Sequence, residues 1–321
     1  MQPARPGASE AAAPAGERRV APVRQDSLRG ILLVCVAFAL FSGLDATAKY
    51  MATVVQLPVT QVTWIRFVSQ FLLIVLVMGI VQVPRLLSTV KLKQQLVRSV
   101  LMMASTVMNF LALRHLRLDQ TQTIYFLAPF VVALLAGPFL GEWVGWRRLV
   151  AIMVGFSGII VVVRPGVATF EPAMLFAFGS MLAYASFMLL TRYLASYDPP
   201  EVTLFYSLLA GTYFLAPLAI VDWVWPESVF IWLLLGSMGL WGGLGHYIFI
   251  LAYRRAPAST LAPFVYLGLV THVAAGYLVF NQVPDAWTLA GAGIVIASGI
   301  YLVHREHVTR RAKARSERAD T

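Results

Sequence analysis

Ten long apolar runs, separated by short polar breaks, govern what this chain can fold into. They cover approximately 29–50, 57–82, 95–114, 119–138, 145–164, 171–193, 200–221, 229–252, 257–280 and 285–304. A helix rising about 1.5 Å per residue needs about 20 residues to cross a hydrocarbon layer about 30 Å thick, and each run has that length. With 59% hydrophobic and 12% charged positions among 321 residues, no water-soluble core of this size would hide them. None alternates apolar and polar residues as a lipid-facing barrel strand does. The fold class is therefore all-α integral membrane, with ten transmembrane helices.

The charges order the spans. An even number of crossings puts both ends of the chain on one side. Arg5, Arg18, Arg19, Arg24 and Arg29 lie before or at the start of the first run, and Arg305, Arg310, Arg311, Lys313, Arg315 and Arg318 follow the last. The breaks on the same side add Arg85, Lys91, Lys93, Arg98, Arg147, Arg148, Arg192, Arg254 and Arg255. The other side has Arg114, Arg117 and Arg164, and its break after the seventh run is acidic at Asp222 and Glu227. Positive loops stay cytoplasmic, so both termini are expected there. The net charge of +10 is spread over breaks and tails, not along one element, which argues against a nucleic-acid partner. The run after Arg29 is too long for a signal-peptide core and is expected to be retained. The single cysteine, Cys35, permits no internal disulfide.

Internal symmetry is present but faint. Ala112–Glu142 lies over Ala252–Gln282 at a constant offset of 140, with Arg114 over Arg254 and Leu127 over Leu267. A five-span unit has an odd number of crossings, so two tandem copies are inverted relative to each other, with a site expected at the midplane between them.

The resemblance rests on ordered phrases. In the first half these are Ala48-Lys49-Tyr50, Trp64-Ile65-Arg66-Phe67, Ala112-Leu113, Pro129 and Leu140-Gly141-Glu142. In the second they are Gly243-Leu244-Gly245-His246, Arg255-Ala256-Pro257-Ala258 and Pro284-Asp285-Ala286-Trp287-Thr288-Leu289. Together they resemble the drug/metabolite transporter superfamily, in its EamA-type branch, over about 29–305. The second-half phrases look most like the group that includes bacterial riboflavin transporters. The chain differs at Asn281-Gln282, where the second repeat often carries Gly-Glu or Gly-Asp. The resemblance implies two inverted five-helix repeats at 29–165 and 170–304. They are flanked by a disordered basic N-terminal tail, 1–28, and a basic C-terminal tail, 305–321. It also implies a carrier of small organic solutes, with riboflavin-like vitamin uptake as the preferred cargo and export of amino acids or related metabolites as the alternative.

Ionisable residues within spans are costly, so each is a candidate for function. Asp45 and Lys49 stand one turn apart on span one, and Arg66 on span two descends toward Asp45. Asp45 and Arg66 read either as a gate or anion anchor, or as a structural ion pair with Lys49 snorkelling to the headgroups. His246 and His272 fall toward opposite ends of the membrane by uniform helical rise, and either can carry a coupling proton or be a hydrogen-bonded interior histidine. Asn109, Gln122, Tyr125 and Ser105, with Tyr184, Tyr247 and Tyr266, are polar stations that suit a flat, ring-containing solute or simply join helices. Pro129 and Pro263 are hinge candidates in the fourth span of each half, with tolerated kinks as the alternative; Pro217 is a third in-span proline. Gly239 with Gly243, and Gly293 with Ala297, offer small faces for helix contact, and Trp143, Trp146, Trp223, Trp225 and Trp287 sit at span ends as interfacial anchors.

No phosphate loop, His-Glu-x-x-His or Gly-x-Ser-x-Gly phrase occurs, so neither ATP hydrolysis nor the commonest enzyme chemistries are expected. No cofactor or metal is expected. The partners expected are a small-molecule solute and the bilayer, with protons as a candidate coupling ion. An intramembrane enzyme or a non-transporting scaffold are the readings of another class.

Overall fold

The computed structural model describes residues 27–79, 83–140, 146–163, 171–194, 197–255, 261, 264 and 266–319. All regular structure among the described residues is helical. In chain order the helices are α1 (Ser27–Thr53), α2 (Val59–Met78), α3 (Val83–Leu86), α4 (Leu92–His115), α5 (Leu118–Tyr125), α6 (Ala128–Leu140), α7 (Trp146–Val163), α8 (Ala173–Leu194), α9 (Pro200–Val221), α10 (Val229–Arg255), α11 (Leu267–Phe280) and α12 (Ala286–Ala319). Among the described residues seven segments are long and apolar enough to cross a membrane, and Leu149–Val163, Leu267–Phe280 and Ala286–Tyr301 are shorter apolar helices. They fall on the ten runs read from the sequence.

The ends have local causes. After α1 the chain turns at Gln56, whose φ of 61° is left-handed, and Pro58 precedes α2. Gly79 ends α2 with φ of 81°, a conformation glycine adopts without strain. The fourth apolar run is broken: α5 stops at Tyr125, Phe126 and Leu127 form a turn, and α6 begins at Ala128. Pro129 explains the break, because it has no N–H for the Tyr125 carbonyl and its ring would collide with it. The ninth run is broken in the corresponding place, with a turn at Tyr266 and α11 starting at Leu267.

Helix pairs recur across the two halves. α1 packs on α10 as α4 packs on α8, α2 meets α10 as α9 meets α4, and α2 packs on α9. The contact between α7 and α12 is reciprocal: Ser298 Oγ donates to the Ala151 carbonyl, and Gly158 faces Gly291. Shifting each residue by 140 turns one contact into the other. A Cβ at Gly158 would stand 2.7 Å from the Gly291 carbonyl oxygen, and one at Gly291 would stand 2.5 Å from that of Gly158, so backbones touch there. Gly293 and Ala297, expected to offer a small face for helix contact, are exposed instead; Gly291, Val295 and Ser298 occupy the contact with α7. Gly239 and Gly243 do meet α2, against Gln70 and Leu73.

Two loop assignments change. Arg98 is not in a break: α4 starts at Leu92, and Arg98 lies one and a half turns inside it, 4% exposed. The segment after 304 continues α12 as helix to Ala319, as its Ala-, Arg- and Glu-rich sequence without proline or glycine favours. The tail before Ser27, Trp143 and Pro263 lie outside the described residues.

Candidate functional site

Ionisable groups converge where the two halves of the chain meet. Asp45, on α1, is surrounded from both. Asn109 Nδ2, on α4, donates to its Oδ1 at 3.1 Å, and His272 Nε2, on α11, lies 3.2 Å from its Oδ2. These two residues are 64 and 227 positions from Asp45 in sequence. The other ring nitrogen of His272, Nδ1, is 2.7 Å from the Gly268 carbonyl one turn back. Asp45 keeps 19% of its side chain exposed, whereas His272 keeps 2%. Ser42 Oγ donates to the Thr271 carbonyl at 2.8 Å, so α1 and α11 are also joined next to this contact.

Arg66 lies nearby without joining it. It interacts with Asp45 through space, yet the two form no ion pair within 4 Å. Its guanidinium sits 4.5 Å over the Phe67 ring, and Nε and Nη1 are buried without any hydrogen-bond partner. Gln70 Oε1, one turn on, is also buried and unpaired. Both side chains end against Gly242 of α10, where no side chain intervenes.

An aromatic wall flanks the cluster. Tyr125 OH bonds Ser105 Oγ at 3.2 Å and Ser180 Oγ. Its ring lies 5.7 Å from that of Tyr184, which stacks on Phe187 at 6.1 Å. Gln122 reaches Gly268, beside His272. Ser180 is the residue that the sequence reading missed; a small hydroxyl on an apolar helix face gives no local signal.

Several expected roles do not survive. Lys49 neither pairs with Asp45 nor snorkels: 4% exposed, it donates to the Leu113 and Leu116 carbonyls at 2.7 and 2.6 Å and closes the C-terminus of α4. The two histidines are not at opposite ends. His246 packs on Phe41 and His272 lies beside Asp45, contacts one turn apart on α1. Tyr247 is 56% exposed. Tyr266 is a packing residue at the second break, its ring 5.0 Å from Phe126 at the first. Pro129 lies at the break in the fourth run, with its side chain exposed.

Two open concavities of the surface lie elsewhere. One, between α7 and α12, is lined by Trp146, Val150, Val154 and Tyr301; another, between α2 and α10, by Leu72, Leu73, Leu76 and Leu240. Both are apolar and turned outward, as lipid-facing grooves are. Among the described residues no group of three His, Cys, Asp or Glu side chains is placed to hold a metal.

The family profile described as EamA-like transporter family matches residues 28–164 and again 171–304. The riboflavin transporter of Vibrio cholerae is 29% identical over 285 residues, covering 88% of this chain and 96% of its own. An S-adenosylmethionine uptake transporter of Rickettsia conorii is 30% identical over 60% of this chain and 66% of its own. The pseudopaline exporter of Pseudomonas aeruginosa is 28% identical, over 85% of this chain and 95% of its own. One solved structure superposes with a TM-score of 0.58 at 18% identity, covering 87% of this chain and 98% of that one, and shares the fold.

Proposed function

The chain belongs to the EamA-like transporter family, and from that premise we propose a multi-pass carrier that moves a small organic metabolite by alternating access. In this reading ten spans form two inverted five-helix units, 29–165 and 170–304, that rock about the Asp45 cluster. The tails 1–28 and 305–321 are cytoplasmic, at the inner membrane of a bacterium. Support comes from the two profile matches, the two breaks 140 residues apart whose aromatic rings meet, and the reciprocal contact of α7 with α12. Phe126 with Pro129 supplies the hinge of the first unit, and the matching turn at Tyr266 that of the second.

The observation that carries the site is the pair of unsatisfied groups, Arg66 and Gln70. Leaving a buried polar atom unpaired costs about 1–3 kcal/mol, more for a charged one. A cargo that offers an acceptor to the Arg66 fork and a donor to Gln70 Oε1 relieves both. The pyrimidine-dione edge of a flavin offers both, and Tyr125, Tyr184 and Phe187 supply faces for its rings. Uptake of a riboflavin-like vitamin is therefore the preferred cargo. An α-amino acid head group offers the same pair, and a carboxylate suits Arg66 better than a neutral edge does. Export of an amino-acid-derived metabolite is accordingly the second reading.

Proteoliposomes offered labelled riboflavin, S-adenosylmethionine and aromatic amino acids test this directly. Saturable riboflavin movement that is lost in Arg66→Met supports the first reading. Movement of an amino-acid-like solute that riboflavin does not inhibit transfers the proposal to the second. Failure of the whole panel, in protein that is folded and inserted, removes both.

A further inference from the structure

The contact between Asp45 and His272 has a requirement that its geometry fixes. A backbone carbonyl has no proton to give, so the 2.7 Å contact of His272 Nδ1 with the Gly268 carbonyl places a proton on Nδ1. A neutral imidazole then presents a bare lone pair at Nε2. That lone pair would face an anionic oxygen at 3.2 Å if Asp45 were ionised as well. The contact is attractive only with one further proton between the two atoms, as imidazolium against carboxylate or imidazole against carboxylic acid. Asn109 fills the other carboxylate oxygen and leaves Oδ2 to this proton.

We infer that Asp45 and His272 form a proton-binding latch between the two halves of the molecule, closed when the pair holds the shared proton and opened when the proton leaves to water. Asp45 belongs to the first matched unit and His272 to the second, so the contact bridges the surfaces that alternating access would separate. Removing the proton leaves net charge −1 on the pair and turns the hydrogen bond into a lone-pair repulsion. The remaining cross-links between α1 and α11, Ser42 to the Thr271 carbonyl and Thr271 to the Phe38 carbonyl at 3.3 Å, are uncharged and do not offset it. The path for the proton is the exposed part of Asp45, since His272 is buried.

The groups facing the pair make a single shared proton the natural unit. From α2, Arg66 attracts the carboxylate without bonding it. From α1 itself, Lys49 is turned away onto the Leu113 and Leu116 carbonyls. From α5, Tyr125 is engaged with Ser105 and Ser180, and Asp119 is paired with Arg117 at 2.9 Å. From α10, His246 faces Phe41 one turn away. α4 contributes Asn109, which does not titrate. As a step of transport the latch rests on the carrier reading above; as a proton site it does not.

The test uses the full chain in lipid nanodiscs, with no cargo. Nitrogen-15-labelled histidine reports protonation, and His272→Gln identifies the His272 signal among the five histidines. Over a scan from about pH 5 to pH 8 we expect the pair to lose one proton, read at Nε2 or, by the carbon-13 shift of its carboxyl, at Asp45, with Nδ1–H kept throughout. In Asp45→Asn that transition should vanish or be displaced by about tenfold or more in proton concentration. Spin labels at Val54→Cys and Leu278→Cys in a Cys35→Ser background report the separation of α1 and α11. The separation should change through the same pH range, and Asp45→Asn should make it pH-independent. No proton on either Nε2 or the Asp45 carboxyl over the whole range, or a separation with the same pH response in Asp45→Asn, overturns the latch. Uptake of riboflavin, S-adenosylmethionine and aromatic amino acids under an imposed pH gradient separates the two claims. If no probe moves while the latch responses are present, the carrier reading fails and the latch stands. If a probe moves and Asp45→Asn keeps its full response to the gradient, the coupling role is refuted.

Discussion

Arg66 and Arg98 are 2% and 4% exposed, and each lays its guanidinium over a phenylalanine ring, Phe67 at 4.5 Å and Phe187 at 4.2 Å. Their hydrogen bonding differs. Arg98 Nε donates to Thr191 Oγ1 and Nη1 to the Thr203 carbonyl, both at 2.7 Å, and Nη1 also reaches Ser207 Oγ. It ties α4 to α8 and α9. Arg66 has Nε and Nη1 with no partner and ties nothing. Equal burial of the same charge thus yields a staple in one place and an unsatisfied donor in the other. A stable fold tolerates the second where a ligand is to complete it, which is why the central cluster, and not the Arg98 network, carries the functional proposal.

Arg98→Ala gives the largest effect expected. It removes charge-assisted bonds worth about 1.5–3 kcal/mol each, for a loss of about 3 kcal/mol or more in nanodisc thermal unfolding. Transport per folded molecule should stay near the wild-type value. Arg66→Met should do the reverse. Its stability should change by less than about 1 kcal/mol, or rise, because an unpaired buried charge is gone. Uptake of the cargo should fall by about 30- to 150-fold, the equivalent of one charge-assisted interaction of about 2–3 kcal/mol. Arg66→Lys should not restore it, since an ammonium lacks the planar fork. If both arginine variants lose stability alike and transport alike, the distinction collapses.

The sequence made one side of this contrast visible and hid the other. Hydropathy is local, so the ten runs could be read directly, and an ionisable residue inside a run, such as Asp45 or Arg66, stands out at once. Pro129 marked the break in the fourth run for the same reason. What a buried cation bonds to is not local. The carbonyls that hold Lys49 lie where α4 ends against α1, 64 and 67 residues away. Arg98 looked like a loop charge because the start of α4 falls among Lys91, Lys93 and polar residues that a hydropathy reading assigns to a break. His272 was singled out, but its partner 227 residues away was not, since depth along a span does not say which neighbouring helix a side chain faces.

Lys49 sharpens the comparison as a third buried cation. Both of its bonds are to backbone carbonyls at a helix C-terminus, so it belongs with Arg98. Lys49→Met keeps the length of the side chain and leaves the Leu113 and Leu116 carbonyls without a donor. A loss of about 1–2 kcal/mol is expected, smaller than for Arg98 because fewer side-chain partners are stranded. Transport should be retained in the folded fraction. A variant as stable as wild type but inactive would move Lys49 to the Arg66 class.

The smallest effect belongs to Asp198, in the break between α8 and α9, next to the Arg98 network. It accepts from Thr89 Oγ1 at 2.5 Å, from Gln95 Nε2 at 2.8 Å and from the Val90 N–H at 3.1 Å, and Gln95 also reaches Thr203. Burial opposes its ionisation, but these three donors outweigh burial and hold its carboxyl below the ordinary carboxylate value. A carboxyl more acidic in the folded than in the unfolded chain binds its proton preferentially in the unfolded one. Its stabilisation is therefore complete above the ordinary carboxylate value and is lost as pH falls through the lower, folded-state value. Asp198→Asn should lower the melting temperature by a few degrees at neutral pH, and the difference from wild type should shrink on acidification below about pH 4. The Arg98→Ala deficit has no such pH dependence, because Arg98 stays charged and no carboxylate contacts it directly. A deficit in Asp198→Asn that stays constant down to strongly acidic pH would mean that the carboxylate charge contributes nothing, and that the clip holds by shape and neutral hydrogen bonds alone.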